Sequence, residues 1–227
     1  MEKINQRLIR ARNTGNLTQV AKNYQLIEDI SATLPKVLYT NGSINTQALN
    51  KYYTIVSLYR ENQDFTKALK TAQFISKETE KLHPCYFKYL SRCLLAISYL
   101  DAGELYEGWT LTKKLLDEES LDYQAEGFCV FAKYYGIKGN HEREINMYKE
   151  AYKVMIMDQF APPIEKFEIF CGLALAYEDA HKPVQAIALY LELLSLLPSL
   201  DTHIISALEI ANIYIRIARL QNILCRK

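Results

Sequence analysis

The sequence is poor in residues that interrupt helices, because its 227 residues include 8 glycines and 6 prolines. Few such breakers over a long chain favour long helices over many short strands. No apolar run approaches the roughly 18 residues typical of a membrane-spanning helix. The N-terminal residues MEKINQRLIRARNTGN carry charges throughout, which is not the pattern of a secretory signal. These absences predict an all-α protein that does not enter a membrane.

An excess of charge of one sign is also missing. The 27 basic and 26 acidic residues leave a formal net charge of +1, which gives no strong attraction to nucleic acid or to an anionic membrane. A short basic stretch, Lys3, Arg7, Arg10 and Arg12, precedes the first predicted turn. A helix-turn-helix unit would need further helices with their own core there. We therefore expect a solvated basic face, and nucleic acid is not an expected partner of this module by itself.

Paired cysteines are absent. The five cysteines (Cys85, Cys93, Cys129, Cys171 and Cys225) are odd in number, and none lies in a C-x-x-C pair. Neither a disulfide framework nor a zinc site is indicated, which fits a reducing cytoplasm. Three of them occupy equivalent positions of the repeat described below, with an expected separation on the order of 10 Å, as between packed helices. That spacing is too wide to share one zinc ion, so we expect no metal and no cofactor.

Catalytic motifs are missing as well. The sequence contains no P-loop, G-x-G-x-x-G, H-E-x-x-H or G-x-S-x-G pattern. All four histidines (His83, His141, His181 and His203) fall in predicted turns or helix starts. Glu178 and Asp179 are adjacent carboxylates, but neighbouring residues of a helix point to different faces. The sequence therefore predicts a protein that is not an enzyme.

What the sequence does contain is an internal repeat built around five tyrosines. They recur at intervals of 36 to 42 residues: Tyr59, Tyr99, Tyr135, Tyr177 and Tyr214. Four residues before each lies a bulky apolar residue: Ile55, Leu95, Phe131, Leu173 and Ile210. Three residues before each lies a small or β-branched residue: Val56, Ala96, Ala132, Ala174 and Ala211. This spacing places all three on one face of a helix, where the small residue permits close approach of another helix.

A turn and a second helix are predicted after four of these tyrosines. Four residues downstream lie Gln63, Gly103, Gly139 and His181, and glycine there suits a helix C-terminus with a left-handed backbone. Nine residues downstream lie Ala68, Gly108, Glu144 and Ala186, which open the second helix. Each helix pair cannot bury its apolar face alone and must stack on the next pair.

This pattern resembles the tetratricopeptide repeat (TPR). The segments that carry it best are YYTIVSLYRENQDFTKAL, LLAISYLDAGELYEG and FCGLALAYEDAHKPVQAIALYLELLSLLP, with a weaker first unit in RARNTGNLTQVAKNYQLIEDI. The resemblance implies a right-handed α-solenoid of about five TPR-like helix pairs in a single domain, 1–227. Its expected units are 1–35, 48–84, 85–122, 123–163 and 164–198, followed by a C-terminal helix, 201–224. Two departures from the family are units longer than its 34 residues and Glu144 in a position that is usually small.

The resemblance also implies how the protein acts: TPR proteins bind a protein or peptide in the concave groove formed by the first helices. The groove residues expected to contact the partner are Tyr53, Arg60, Leu94, Ile97, Lys133, Leu175, Glu178, Asn212 and Arg216. Apolar side chains with isolated charges suit a peptide with apolar anchors.

Two functions fit this expectation. The longer repeats are similar to the sensor domains of bacterial peptide-pheromone receptors, which implies a peptide-sensing regulator. The alternative is a scaffold subunit of a multiprotein assembly. The scaffold is favoured by the C-terminal helix, in which Ile213, Ile215 and Ile217 are more apolar than a cap facing water requires.

Overall fold

The structure is a computed structural model. It describes residues 17–34, 38–40, 43–83, 85–117, 124–157, 163–197 and 207–225. The chain divides into two compact units, Met1–Glu104 and Leu105–Lys227. The predicted single domain and its repeat boundaries stay predictions. The basic stretch Lys3, Arg7, Arg10 and Arg12, the first helix of the weaker first unit, and His203 lie outside the described residues.

The described residues of unit 1 form four helices and a two-stranded ribbon. Its helices are α1 (Leu17–Ala32), α2 (Thr46–Glu61), α3 (Phe65–Thr79) and α4 (Tyr86–Asp101), and each packs against the next along the chain. Strands β1 (Tyr39–Thr40) and β2 (Ser43–Ile44) pair antiparallel between α1 and α2. The sequence analysis did not predict this ribbon. Leu38 directly precedes β1, and its side chain is fully buried in the hydrophobic core between α2 and α3.

Unit 2 contains six described helices. They are α5 (Leu105–Asp117), α6 (Gln124–Ile137), α7 (His141–Met157), α8 (Pro163–Asp179), α9 (Pro183–Leu196) and α10 (Ala207–Cys225). Consecutive helices pack together, and α6 also contacts α8. Because every described element longer than two residues is a helix, the predicted all-α class is confirmed.

The four predicted turns share one backbone geometry. Their positive φ angles are 62° at Gln63, 85° at Gly103, 72° at Gly139 and 57° at His181. In each turn the amide one residue further on donates to the carbonyl of the repeat tyrosine at 2.9 Å, as Asp64 does to Tyr59 and Lys182 to Tyr177. This is the Schellman arrangement, which satisfies carbonyls that the end of a helix leaves free. The turns therefore end the first helices where the sequence predicts.

The second helices begin with side chains that complete their first turns. Asp64 accepts a hydrogen bond from the amide of Lys67 at the start of α3, and Asn140 accepts one from the amide of Arg143 at the start of α7. At α9, Pro183 stands in the first turn, where its missing N–H costs nothing. These caps fix where the second helices start.

The repeat residues form the core. Val56 of α2 and Ala68 of α3 lie in one buried cluster of unit 1, and Ala174 of α8 and Ala186 of α9 lie in one buried cluster of unit 2. All four are fully buried. Small side chains at both positions therefore let the two helices of a pair approach closely.

Glu144 departs from this pattern, and its neighbours show how the fold accommodates it. Its carboxylate lies against Gly136 of α6, where a Cβ atom would be 2.5 Å from Oε1. His141 Nδ1 lies 2.9 Å from Oε2 of the same carboxylate. The missing side chain at Gly136 thus provides the space that the repeat ordinarily obtains from a small residue at position 144.

The inference that Ile213, Ile215 and Ile217 of the C-terminal helix together favour a scaffold needs correction. Ile213 and Ile217 are buried against α8 and α9, in the core cluster of unit 2. Only Ile215 of the three is exposed, at 54%. Most of the isoleucines that made α10 look apolar therefore pack in the core. Their alternation along the sequence did not show which of them would be buried.

Candidate functional site

The predicted groove residues of unit 1 lie where α2 and α4 meet, and their polar groups are engaged there. Tyr53 Oη donates to the carbonyl oxygen of Phe87 at 3.0 Å and lies 2.8 Å from Ser91 Oγ. Burial raises the pKa of Tyr53 to about 12. Arg60 Nε donates to Asp101 Oδ2 at 2.6 Å. Both side chains therefore fasten one first helix to the next.

The apolar groove residues of unit 1 are partly buried on α4. Leu94 packs against the buried cluster formed by α2 and α3, and Ile97 is half-buried. Neither side chain is among the exposed large hydrophobic residues. In unit 1 the predicted positions therefore serve mainly as packing between helices.

In unit 2 a charged cluster joins α8, α9 and α10. Arg216 Nη1 donates to both carboxylate oxygens of Glu178, at 3.1 and 3.2 Å. Tyr190 Oη donates to Glu178 Oε1 at 2.5 Å. Burial, and then the hydrogen bond to this carboxylate, raise the pKa of Tyr190. Tyr190 thus stays neutral, and Glu178 is held by a donor on each side.

The two ion pairs occupy equivalent repeat positions with the charges exchanged. Arg60 and Glu178 each follow a repeat tyrosine by one residue, and their partners Asp101 and Arg216 each follow the next repeat tyrosine by two. An ion pair at this position crosses between successive first helices in each unit. Because each pair is partly buried, its geometry is more constrained than that of an exposed pair.

Beside the unit 2 ion pair lies a small cavity. Its volume is about 200 Å³, and it opens between α8, α9 and α10. Its lining residues are Phe167, Cys171, Leu175, Tyr190, Asn212, Ile213 and Arg216. Leu175 is 40% exposed and Asn212 is exposed, whereas Phe167, Tyr190 and Ile213 are buried. The cavity is thus lined by apolar side chains together with the polar groups of Asn212 and Arg216.

Three predicted groove residues line this cavity, namely Leu175, Asn212 and Arg216. Glu178 holds Arg216 in place, and Lys133 is half-buried on α6, outside the cavity lining. The structure therefore brings four of the predicted residues together in unit 2.

Sequence reasoning missed Phe167, Cys171, Tyr190 and Ile213 as cavity residues. Cys171 is one of the three cysteines at equivalent repeat positions, which the sequence analysis considered only as ligands of a shared metal ion. Tyr190 lies on a second helix, whereas the expected groove was drawn from first helices alone. No pattern within a single helix shows that Tyr190 reaches Glu178 across the turn. The pairing of an ionisable residue with a buried tyrosine is a tertiary feature.

Another close contact fixes α7 against α8. A Cβ atom on Gly172 would lie 2.4 Å from two ring carbons of Tyr148. Burial raises the pKa of the Tyr148 hydroxyl. Gly172 directly follows Cys171, so this contact sets the position of one wall of the cavity.

Within the described part of the chain, no group of three or more histidine, cysteine or carboxylate residues is placed to hold a metal ion. All five cysteines lie in the described ranges and none forms a disulfide; Cys93 is buried and Cys225 is exposed. In the same described ranges, no helix is both long and apolar enough to cross a membrane.

Comparison with solved structures identifies the fold. The chain is similar to the crystal structure of BtubC (BKLC) from P. vanneervenii, with a TM-score of 0.61 and 16% identity over 92% of this chain and 84% of that one. It also matches TPR-like repeats of a Podosopora anserina protein assigned as a kinesin light chain, with a TM-score of 0.44 and 14% identity over 82% of this chain and 89% of that one. No family model and no curated protein matches the sequence.

The predicted resemblance to TPR-like repeat proteins is thus confirmed at the level of fold, and the fold class is that of a TPR-like helical-repeat protein. Folds of this kind commonly mediate protein–protein interactions, and proteins that carry them are generally not catalysts. Because the identities are low, the comparison shows the fold alone.

Proposed function

We propose that this protein is a non-catalytic interaction module of the cytoplasm whose cavity between α8, α9 and α10 binds a linear segment of another protein. The observation that carries the proposal is the cavity, in which an exposed leucine and buried aromatic side chains lie beside the Asn212 amide and the Arg216 guanidinium. An apolar anchor with adjacent polar groups is the pattern by which peptides are held in grooves.

The size of the cavity supports a side-chain anchor rather than a whole small molecule. Pockets that enclose drug-sized ligands occupy roughly 300–1,000 Å³, whereas this cavity has about 200 Å³. We infer that one apolar side chain of the partner enters it. The neighbouring main chain of the partner then bonds to Asn212, since an amide both donates and accepts hydrogen bonds.

The ion pair of Glu178 with Arg216 supports recognition by shape more than by charge. Because the Arg216 guanidinium is paired with the Glu178 carboxylate at 3.1 Å, the charge of the cavity wall is close to neutral. A segment with an uncharged anchor therefore fits better than one that presents a carboxylate to the cavity.

A finer form of the proposal is a regulator that senses a short peptide. It is supported by the cavity's capacity for a single anchor, which a short peptide can satisfy. This form predicts that a peptide of about ten residues raises the melting temperature by itself, because a ligand that binds only the folded state stabilises it.

The test is a selection of random twelve-residue peptides, displayed on phage, against the full chain. We expect enriched peptides to share an apolar anchor and to lose at least tenfold in affinity for Leu175→Glu and for Asn212→Asp. Leu191→Glu is the matched control, since Leu191 is an exposed leucine of α9 that is not part of the cavity. Peptides that bind the cavity variants as tightly as the control variant would contradict the proposal.

A further inference from the structure

A second surface lies on α10, on the side turned away from the core of unit 2. Ile213, Ile217 and Leu220 face that core. On the opposite side Ala211, Tyr214, Ile215 and Ala218 are exposed, and we call these four residues the outer face of α10. Tyr214 is 58% exposed and Ile215 is 54% exposed. Adjacent exposed side chains of this size mark a contact surface more often than scattered single ones do.

The repeat shows what normally covers this face. Ala211 occupies the position three residues before the repeat tyrosine. The equivalent residues Val56, Ala132 and Ala174 of α2, α6 and α8 are fully buried, and each of these helices packs against the second helix that follows it in the same unit. In α10, by contrast, Ala211 and the repeat tyrosine are both exposed.

The reason for this exposure is that α10 does not turn where the other first helices do. Helices α2, α6 and α8 end two residues after their repeat tyrosines, whereas α10 continues from Tyr214 to Cys225. Within the described residues, no second helix folds back on α10. Its outer face therefore retains the surface of a first helix without the helix that would cover it.

The charges of α10 indicate the chemistry of the missing helix. Over residues 210–225, where the structure describes the side chains, the charged residues are Arg216 and Arg219. Arg216 is paired with Glu178. Arg219 is exposed and lies beside the outer face, because it follows Ile215 by four residues on the same helix. A second copy of α10 would bring arginine toward arginine, whereas an acidic helix would bring carboxylates.

We propose that the outer face of α10 binds an amphipathic, acidic α-helix of a partner protein. This helix takes the place of a second repeat helix. A small residue lies against Ala211, apolar residues contact Tyr214 and Ile215, and a carboxylate pairs with Arg219. Because the face is distinct from the residues that line the cavity, binding here is independent of the proposed function. A protein with both surfaces joins two partners, which is the scaffold role.

The test uses a synthetic helix derived from α3, the second helix that covers Val56 and Tyr59 in unit 1. The probe is a hydrocarbon-stapled, fluorescein-labelled peptide of residues 65–79 in which Lys67, Lys70 and Lys77 are replaced by glutamate. Fluorescence anisotropy measures its binding to the full chain. We expect saturable binding that Ala211→Gln with Ala218→Gln weakens at least tenfold, because two glutamines prevent close approach of a helix.

Four controls and a check of folding make the result decisive. Leu191→Glu, on an exposed position of α9, is expected to leave the affinity unchanged, and so is Leu175→Glu in the cavity. The same stapled peptide with its natural lysines is expected to bind several-fold more weakly, and Arg219→Ala is expected to remove that difference. Because all the substituted positions are exposed, we expect each variant to remain folded. Circular dichroism verifies this.

Two results would overturn the proposal. One is that Ala211→Gln with Ala218→Gln changes the affinity for the acidic peptide no more than Leu191→Glu does. The other is a dimer of the full chain in sedimentation velocity that Ala211→Gln with Ala218→Gln dissociates, since the occupant would then be a second copy. Loss of cavity binding in the phage selection would leave this result untouched.

Discussion

Gln63 and His181 hold the left-handed backbone that Gly103 and Gly139 hold in the equivalent turns. For a residue with a Cβ atom this conformation costs roughly 1–2 kcal/mol, whereas glycine adopts it freely. The sequence alone located all four positions, because their offset from the repeat tyrosine is constant. It could not show that the two non-glycine residues take the same φ, since glutamine and histidine carry no such signal.

His181→Gly and Gln63→Gly are each expected to stabilise the fold by up to about 1 kcal/mol, because relief of the strained φ exceeds the entropy that glycine loses on folding. Urea unfolding followed by circular dichroism measures the change. Gly139→Gln is the reverse control and is expected to destabilise by a similar amount. A loss of stability in both glycine variants would show that the turns are not strained.

Gly136→Ala and Gly172→Ala are expected to differ, although both glycines lie within helices against a side chain. Alanine gains about 1 kcal/mol in helix propensity over glycine. At Gly136 the obstructing atoms are the end of the Glu144 side chain, which can rotate away. At Gly172 they are ring carbons of Tyr148, and overpacking a core costs roughly 1–3 kcal/mol.

We therefore predict a near-neutral Gly136→Ala and a clearly destabilised Gly172→Ala, measured as free energies of unfolding. Adding Tyr148→Ala to Gly172→Ala should recover part of the loss relative to the sum of the single variants, since it removes the obstructing ring. Strictly additive effects would contradict the close contact.

At the scale of the helix, α1 is held to the turn between α2 and α3 by polar contacts. Tyr24 Oη donates to Asp64 Oδ2 at 3.0 Å, and Lys67 Nζ lies 2.9 Å from the same atom. The Lys67 ammonium also lies 5.3 Å from the centre of the Tyr24 ring and 5.6 Å from that of Tyr59. A cation over an aromatic face is favourable. Lys67 at the start of α3 therefore contacts Tyr24 of α1 and Tyr59 of α2 at the same time.

The Asp64 carboxylate makes this junction dependent on pH. Burial acts to raise the pKa of Asp64, but hydrogen bonds from Lys67 and Tyr24 outweigh it and lower the pKa. The stabilisation is therefore complete above the unfolded value of about 3.9 and is lost as the pH falls through the folded value.

Asp64→Asn removes the charge and keeps an acceptor for the amide of Lys67. We expect it to cost about 1 kcal/mol at pH 7, the size of a typical net hydrogen bond, and progressively less as the pH falls through the lowered folded pKa of Asp64. Chemical unfolding across this pH range measures the difference. A cost that does not change with pH would show that the carboxylate charge contributes nothing.

Helix positions were predictable because tyrosine, small residue and turn recur together, and the structure places helices over each predicted repeat tyrosine. The ribbon of β1 and β2 was not predictable, since two-residue strands have too few side chains to show alternation. The ion pairs of Arg60 and Glu178 were also hidden, because their partners lie on the next first helix, about 40 residues away along the chain.

At the scale of the whole molecule, the repeat predicted the fold class but not how evenly the groove is used. The predicted residues of unit 1 are engaged in packing and in the Arg60–Asp101 ion pair, whereas Leu175, Asn212 and Arg216 of unit 2 line the cavity. Some of these positions are equivalent: Ile97, Leu175 and Asn212 each lie two residues before a repeat tyrosine, and Arg60 and Glu178 each directly follow one. The two units differ because different side chains from neighbouring helices surround these residues, among them Tyr190 of α9. A search for repeats within the sequence cannot detect these contacts between helices.

The measurement that tests the central claim most directly is the rate at which iodoacetamide alkylates Cys171, because this thiol lines the cavity. Peptide mapping by mass spectrometry follows each cysteine with and without a saturating amount of a peptide selected on the full chain. The account predicts that the bound peptide slows alkylation of Cys171 at least fivefold and leaves Cys225, which is exposed near the end of α10, unchanged. An unchanged rate at Cys171 under saturating peptide would show that the segment binds elsewhere and would contradict the account.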